Sequence, residues 1–307
     1  MDRLKSIMVA VDFSACSADA FRQAARIAEW NGASLSAMHA VPLPGHPHTP
    51  YPFIPIDVPT TGDFVGEARR RWEGFAPDAP ARRATDLAVV VGGPRSEIVE
   101  RVRSERPDLL VVGAHGDQDA ARGIGATAAA CVQRAPARVM VIREGAAGPF
   151  TRVVACVDFS ETSRIALDQA IRITAQDGSF LHILHVYQDP WGGLGPPDDM
   201  KANMPDFWPA YEKAVVERLA SFCDPLGHEV AALKATFHAF KSADHGLGII
   251  DFVNQTKADL VVLGTRARWN LRDAFWGSTA ERVVRAAPCS ILTVKPEGFD
   301  QPAGTSH

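Results

Sequence analysis

The sequence predicts two tandem doubly wound α/β domains, each on a five-stranded parallel sheet, and three observations carry that reading. The segment VAVDFSACS at 9–17 returns as ACVDFSETS at 155–163, in a gapless register of 146 from Val9/Ala155 to Val41/Tyr187 with 13 of 33 pairs identical. Further on, PDLLVVGAHG (107–116) matches ADLVVLGTRA (258–267) at an offset of 151. Within each copy, short apolar runs alternate with amphipathic stretches, the pattern of right-handed β-α-β units. A period this long denotes two whole domains rather than a solenoid.

The elements follow in order. Residues 6–12 form an apolar strand ending in Asp12, and 17–31 a helix with Ala20, Ala24 and Ile27 on one face. A strand at 34–41 leads into PLPGHPHTPYPFIPIDVPTTGD, too proline-rich for regular structure, and then a helix around 64–75. A strand (86–92), a helix (95–104), a strand (108–113), a glycine-bearing loop, a helix (126–134) and a last strand (138–143) complete the first copy. The second repeats this order, with a helix around 208–224, strands at 232–239, 259–264 and 290–295, and helices at 246–256 and 277–286. REGAAGPFT (143–151) is the expected linker, so the domains span 1–145 and 150–297, with a disordered tail at 298–307.

With 307 residues, 46% hydrophobic and 22% charged, the chain can bury two cores. A net charge of -4 gives no electrostatic reason to expect nucleic acid or an anionic membrane as partner. No apolar run is long enough to span a bilayer, and MDRLKSIMVAVDFS holds no signal-type apolar region, so a cytoplasmic location is expected. The five cysteines are scattered and form no C-x-x-C pair, which disfavours zinc or disulfide frameworks. Cys16 alone stands at a predicted helix start, where a thiol can be activated, although simple burial is the expected reading.

In open parallel sheets ligands lie beyond the strand C-termini, at the point where the strand order reverses. Asp12, Asp158, Gly113 and Gly264 all stand at predicted strand ends. A carboxylate there can accept from an amino group such as a purine's exocyclic amine. It can equally belong to an Asp-x-Ser turn into the following helix, and both readings stay open. The loops GAHGDQDAARGIGAT (113–127) and GTRARWNLRDAFWGS (264–278) each run from a strand to a helix. Their glycines allow close backbone approach to a phosphate, and the helix N-terminus, with Thr127 or Ser278, offers donors. Neither loop is a Walker A sequence or a dinucleotide fingerprint.

Together, the V-D-F-S strand ends, the strands SAMHAV and HILHVY, the G-x-x-G-x(9)-G-[ST] loop pattern and the closing RAPARVMVI and RAAPCSILTVK resemble the universal stress protein family. The resemblance covers essentially the whole chain in two copies. It implies Rossmann-like, adenine nucleotide alpha hydrolase-like domains, pairing through the last strands, and binding of ATP or AMP with or without Mg. Carried over, adenine meets Asp12 and the backbone of Ala40 in copy one, Asp158 and Val186 in copy two. Ribose and phosphates meet Val112, Gly113, Gly116, Ala126, Thr127 and Ala128, with His115 beside them. In copy two they meet Leu263, Gly264, Ala267, Gly277, Ser278 and Thr279, with Arg266 adjacent.

Both copies depart from the pattern: Ala126 replaces the third glycine in copy one, and Ala267 the second in copy two. Copy one's loop carries Asp117 and Asp119 against Arg122, whereas copy two's carries Arg266, Arg268 and Arg272. Geometry favours copy one and charge copy two; the expectation leans to copy one. The two copies are expected to pair through 138–143 and 290–295, with a further homodimer open. The functional expectation is a regulatory nucleotide-binding protein, the alternative a tandem module that binds no nucleotide and works through protein contacts. No nucleophile set or carboxylate cluster proposes an enzyme, and His115 is the one candidate base for slow hydrolysis or autophosphorylation. His39 and His185 read as structural, His46 and His48 lack a third metal ligand, and Trp191, Trp208, Trp269 and Trp276 read as packing residues.

Overall fold

The computed structural model describes residues 3–42, 60–76, 80–116, 123–189, 207–265, 277–296 and 299. In copy one the strands are β1 (Ser6–Ala10), β2 (Ser34–Val41), β3 (Leu87–Val91), β4 (Leu109–Gly113) and β5 (Arg138–Ile142). Its helices are α1 (Ala15–Asn31), α2 (Thr61–Gly74), α3 (Pro94–Glu105) and α4 (Ala126–Arg134). Copy two supplies β6 (Arg152–Cys156), β7 (Phe180–Tyr187), β8 (Lys234–Lys241), β9 (Leu260–Gly264) and β10 (Ser290–Val294). Its helices are α5 (Glu161–Asp177), α6 (Phe207–Cys223), α7 (Gly227–Ala231), α8 (His245–Thr256) and α9 (Ser278–Ala286). The proline-rich stretch 43–59, the loops 117–122 and 266–276 and most of the tail lie outside the described residues.

Local chemistry sets the helix ends. Ser14 and Ser160 cap α1 and α5 by accepting the Ser17 and Ser163 N–H groups, and Gly32 and Gly178 close both helices in left-handed conformation. Thr60 and Asp63 form a capping box that starts α2 at residue 61, three residues before the sequence reading. The strand expected at 232–239 begins at Lys234, because the short helix α7 occupies 227–231. Burial in the central strands is nearly complete on both faces, as a parallel sheet sandwiched by helices requires.

All ten strands join one sheet, ordered β3-β2-β1-β4-β5-β10-β9-β6-β7-β8. Every neighbouring pair is parallel except the central one, where β5 runs antiparallel to β10 with Leu292 opposite Met140. Each copy thus has order 3-2-1-4-5, and a pseudo-two-fold axis passes between their last strands. Thr293 Oγ1 donates to the Val139 carbonyl (3.2 Å), and the Arg143 N–H to Ser290 Oγ (3.1 Å), so the buried polar groups of this seam are paired. One apolar core, holding Phe21, Trp72, Leu167 and Leu219, and another, holding Val102, Val132, Ile249 and Val283, run across both copies on opposite faces.

Cations cross the seam reciprocally. Arg143, just after β5, donates to the Ala287 carbonyl at the end of α9, and Lys295, just after β10, donates to the Val132 carbonyl of α4. Each sits near the C-terminal end of the other copy's helix, the favourable end for positive charge. The segment 143–151, expected as a plain linker, is tied down on all sides. Gln23 donates to the carbonyls of Ala146 and Gly148, Asp19 accepts from Gly145 N–H (2.7 Å), and Phe150 is buried. Asp177, its side chain fully buried, accepts from both Arg26 and the Phe150 N–H.

Candidate functional site

The reversal of strand order in each copy lies between its first and fourth strands, and a cavity opens there beyond the strand ends in both. They measure about 540 Å³ in copy one and about 500 Å³ in copy two, within the range of small-molecule sites. Asp12, Ala40, Val112, Gly113, His115, Gly116, Ala126, Thr127 and Ala128 all line the first. Asp158, Val186, Leu263, Gly264, Gly277, Ser278 and Thr279 all line the second. Arg266 and Ala267 fall outside the described residues, as do Asp117, Asp119, Arg122, Arg268 and Arg272, on which the charge comparison of the two loops rested.

The V-D-F-S motif builds one end of each cavity. Phe13 and Phe159 adopt φ of 64°, the left-handed region that costs a non-glycine residue about 1–2 kcal/mol. The preceding aspartate holds the turn. Asp12 Oδ1 accepts from the N–H and hydroxyl of Ser14 (3.0 and 2.5 Å), and Asp158 Oδ1 does the same for Ser160. The second oxygen, Asp12 Oδ2, faces Gly116, where a Cβ would come within 2.8 Å of it. The two readings of this aspartate are therefore compatible, one per oxygen. Gly113 and Gly264 have a different reason from the one the sequence offered. A Cβ there would crowd Cys16 and Ser17 of α1, or Thr162 of α5, so these glycines let the first helix of each copy pack against the strand end.

Strain at Phe13 and Phe159 serves a cluster that sequence reading missed. Each ring lies 4.6 Å from the strand histidine, His39 or His185, and edge-on to a second phenylalanine, Phe75 at the end of α2 or Phe222 of α6. An arginine covers each ring, Arg71 at 4.6 Å and Arg218 at 4.1 Å, and both arginines line their cavities. Arg71/Arg218 and Phe75/Phe222 share an offset of 147, one more than the first block, and an R-x-x-x-F comparison across the variable segment finds them.

The other end of each cavity is a helix N-terminus. Gly125 and Gly277 are the N-caps of α4 and α9, and neither helix has a side-chain capping bond, unlike α1, α2, α5 and α8. The first-turn N–H groups at 126–128 and 278–280 thus form an anion-receptive end. This also corrects the glycine comparison. Gly125 donates to the Ala114 carbonyl as Gly277 donates to the Thr265 carbonyl, so Gly125, not Ala126, is the counterpart of Gly277. Copy one therefore keeps all three glycines, Gly113, Gly116 and Gly125, in a loop one residue shorter than its mate.

His39 and His185 donate Nδ1–H to the carbonyls of Val11 and Val157, both at 2.7 Å, as neutral imidazoles. Burial, reinforced by Arg71 at His39 and by His245 and Arg218 at His185, holds both below the ordinary histidine value of 6.5. The unfolded chain therefore takes up protons that the native protein refuses. Stability is fully present above about pH 6.5 and falls as the pH drops toward the native values. A melting-temperature series from about pH 7 to about pH 5 checks this. The loss of melting temperature is smaller in the double variant His39→Gln, His185→Gln; an equal loss would contradict the assignment.

Cys16 is buried, its thiol donates to the Ile142 carbonyl (3.2 Å), and burial pushes its pKa up rather than down. Burial likewise raises Cys131 and Cys289 to about 12 and Cys223 to about 11, and raises Cys156 too. The native protein is expected to show no rapid reaction with a disulfide thiol reagent at neutral pH and five reactive thiols after denaturation. One fast-reacting thiol in the native state would contradict this. Trp208 packs with Tyr187 and Tyr211 and receives Lys241 over its ring; Trp191, Trp269, Trp276, His46 and His48 lie outside the described residues.

The repeated switch-point cavity with its V-D-F-S turn is accompanied by a family match. A model described as the universal stress protein family matches residues 3–143 and again 149–295. The chain belongs to the universal stress protein family. Its stretch of 49 residues is 45% identical to universal stress protein E of Photorhabdus laumondii, covering 16% of each chain. A second relative, universal stress protein A homolog 1 of Coxiella burnetii, is 28% identical over 145 residues, 45% of this chain and 95% of that one. Alignment with the first relative thus reaches well under two thirds of its length. Among solved structures, a universal stress protein from Archaeoglobus fulgidus superimposes with a TM-score of 0.61 at 17% identity, covering 94% of this chain and 96% of the other. That likeness is one of fold. No helix among the described residues of this tandem universal stress protein is long and apolar enough to cross a membrane.

Proposed function

We propose that this universal stress protein binds an adenine nucleotide, ATP or AMP, in the copy-one cavity as a regulatory ligand. The observation that carries the reading is the pairing of opposite polarities across one cavity. Asp12 Oδ2 offers an acceptor for an exocyclic amine, and the uncapped N-terminus of α4 offers N–H donors for phosphate. The apolar walls between them, including Ala40, Val41, Val112 and Ile98, suit a purine. Arg71 adds positive charge on the same cavity. Copy two repeats the aspartate and the uncapped helix, and its affinity for nucleotide is proposed to be the weaker, since Ala267 replaces a glycine.

The nucleotide is proposed as a ligand and not a substrate. The described lining of copy one offers His115 as the candidate base, and its Nδ1 lies 3.3 Å from the Gly116 carbonyl. A cytoplasmic setting belongs to the same proposal, supported by five free cysteines, four of them buried. Freshly purified protein, denatured and analysed by mass spectrometry, is expected to release adenine nucleotide. Protein that releases none and gains no melting temperature with added ATP or AMP would turn the reading to a nucleotide-free interaction module.

A further inference from the structure

Outside both cavities, three polar side chains meet on the outermost strands of copy two. Thr236 and His238 alternate on β8, so they share a face, and His182 stands directly opposite Thr236 on β7. His182 Nδ1 lies 3.0 Å from Thr236 Oγ1 and 3.1 Å from His238 Nε2, and the last two atoms are 2.8 Å apart. Hydrogen bonds account for two sides of this triangle. Each imidazole nitrogen carries one proton or one lone pair, and the hydroxyl carries one proton. The Thr236 hydroxyl donates to His238 Nε2 and His182 Nδ1–H to Thr236 Oγ1, which leaves the nitrogen-nitrogen contact without a proton and a lone pair of its own.

Those spacings match a different arrangement. Donors at about 2.1 Å from a metal ion in square-planar or six-coordinate geometry, at right angles to one another, stand about 3.0 Å apart. We propose that His182, His238 and Thr236 form a binding site for a divalent first-row transition ion, Zn²⁺, Ni²⁺ or Cu²⁺, with water completing the coordination. Imidazole nitrogen suits these ions better than Mg²⁺ or Ca²⁺. Among the described residues no three His, Cys, Asp or Glu side chains come together, so a hydroxyl is the third protein donor and the site is one of modest affinity.

The surroundings fit. β8 ends the sheet and Thr236 is exposed, which gives an ion a direct approach. Phe252 of α8 packs against both imidazoles, 5.9 Å from His182 and 4.9 Å from His238, and fixes the rings from behind. At neutral pH, above the ordinary histidine range, an imidazole is neutral and carries a lone pair. Binding then asks only for His182 to carry its proton on Nε2 in place of Nδ1. The counterparts in copy one, by strand register, are Ser36, Asp86 and Ala88, so the site belongs to copy two alone.

The test uses the untagged full chain, titrated separately with Zn²⁺, Ni²⁺ and Cu²⁺ and followed by calorimetry and melting temperature. Wild type is expected to gain melting temperature. His182→Ala and His238→Ala should each weaken binding by more than the roughly tenfold that loss of even an outer-shell partner costs. Ring-nitrogen NMR of wild type, independent of any variant, should show Zn²⁺ shifting the His182 Nδ1 and His238 Nε2 signals. Equal titrations of wild type and the double histidine variant, or ring signals unmoved by metal, would overturn the proposal and leave a hydrogen-bonded histidine pair.

Discussion

Asp12→Ala is expected to weaken adenine-nucleotide binding by about 1.5–3 kcal/mol, roughly 10- to 150-fold, the worth of a hydrogen bond to a charged group. The argument rests on the division of labour between the carboxylate oxygens. Oδ1 holds Ser14 and so permits the left-handed Phe13, while Oδ2 faces the glycine loop inside the cavity. Two controls separate binding from folding. Ser14→Ala removes the cap of α1, worth about 1 kcal/mol of stability, and should leave affinity nearly intact. Asp158→Ala disturbs the equivalent turn in copy two and should leave the tight site untouched. Calorimetric titration of the three variants with ATP and AMP reads these effects. Equal losses in Asp12→Ala and Asp158→Ala would mean that the copies share the ligand evenly.

Asp177→Ala is expected to cost about 3–5 kcal/mol of folding stability, the penalty for breaking a buried ion pair from one side. The Asp177 side chain is fully buried, closes on Arg26 of copy one and accepts the Phe150 N–H of the connecting segment. Its loss leaves the Arg26 guanidinium with Gln23 Oε1 in place of a carboxylate and takes the acceptor from the Phe150 N–H, at the place where the two copies join. Asp177→Asn restores the volume and one acceptor and should recover part of the loss. Chemical denaturation gives the values, and the transition of Asp177→Ala should remain single, because both cores run across both copies. Two separate transitions would contradict the single-sheet architecture.

The repeat made the shared plan of the two copies legible before any coordinates. Once Asp12 lay on Asp158, both copies had to share one α/β plan; the family resemblance implied pairing through the last strands, and β5 and β10 do pair. The family was legible for the same reason, since its motifs recur in order along the chain. Departures from the sequence reading have local causes. A gapless comparison cannot place a one-residue deletion inside a loop, so Ala126 stood where Gly125 belongs. Arg71 and Arg218 lie beyond a variable segment that shifts the register to 147, outside both matched blocks. The left-handed conformation of Phe13 and Phe159 is hidden because a bulky residue is the last expected there. Helix α7 is too short for periodicity to reveal, and the segment 143–151 reads as a linker because its anchors Gln23, Asp19 and Asp177 are far away in sequence.

The central claim is that one cavity holds adenine at Asp12 and phosphate at the start of α4. A crystal structure of the full chain grown with ATP or AMP tests it most directly. The expected result is density in the copy-one cavity, with the exocyclic amine within hydrogen-bond distance of Asp12 and phosphate oxygens on the N–H groups of residues 126–128. A nucleotide bound elsewhere, or bound there with its phosphates turned toward Asp12, would contradict it.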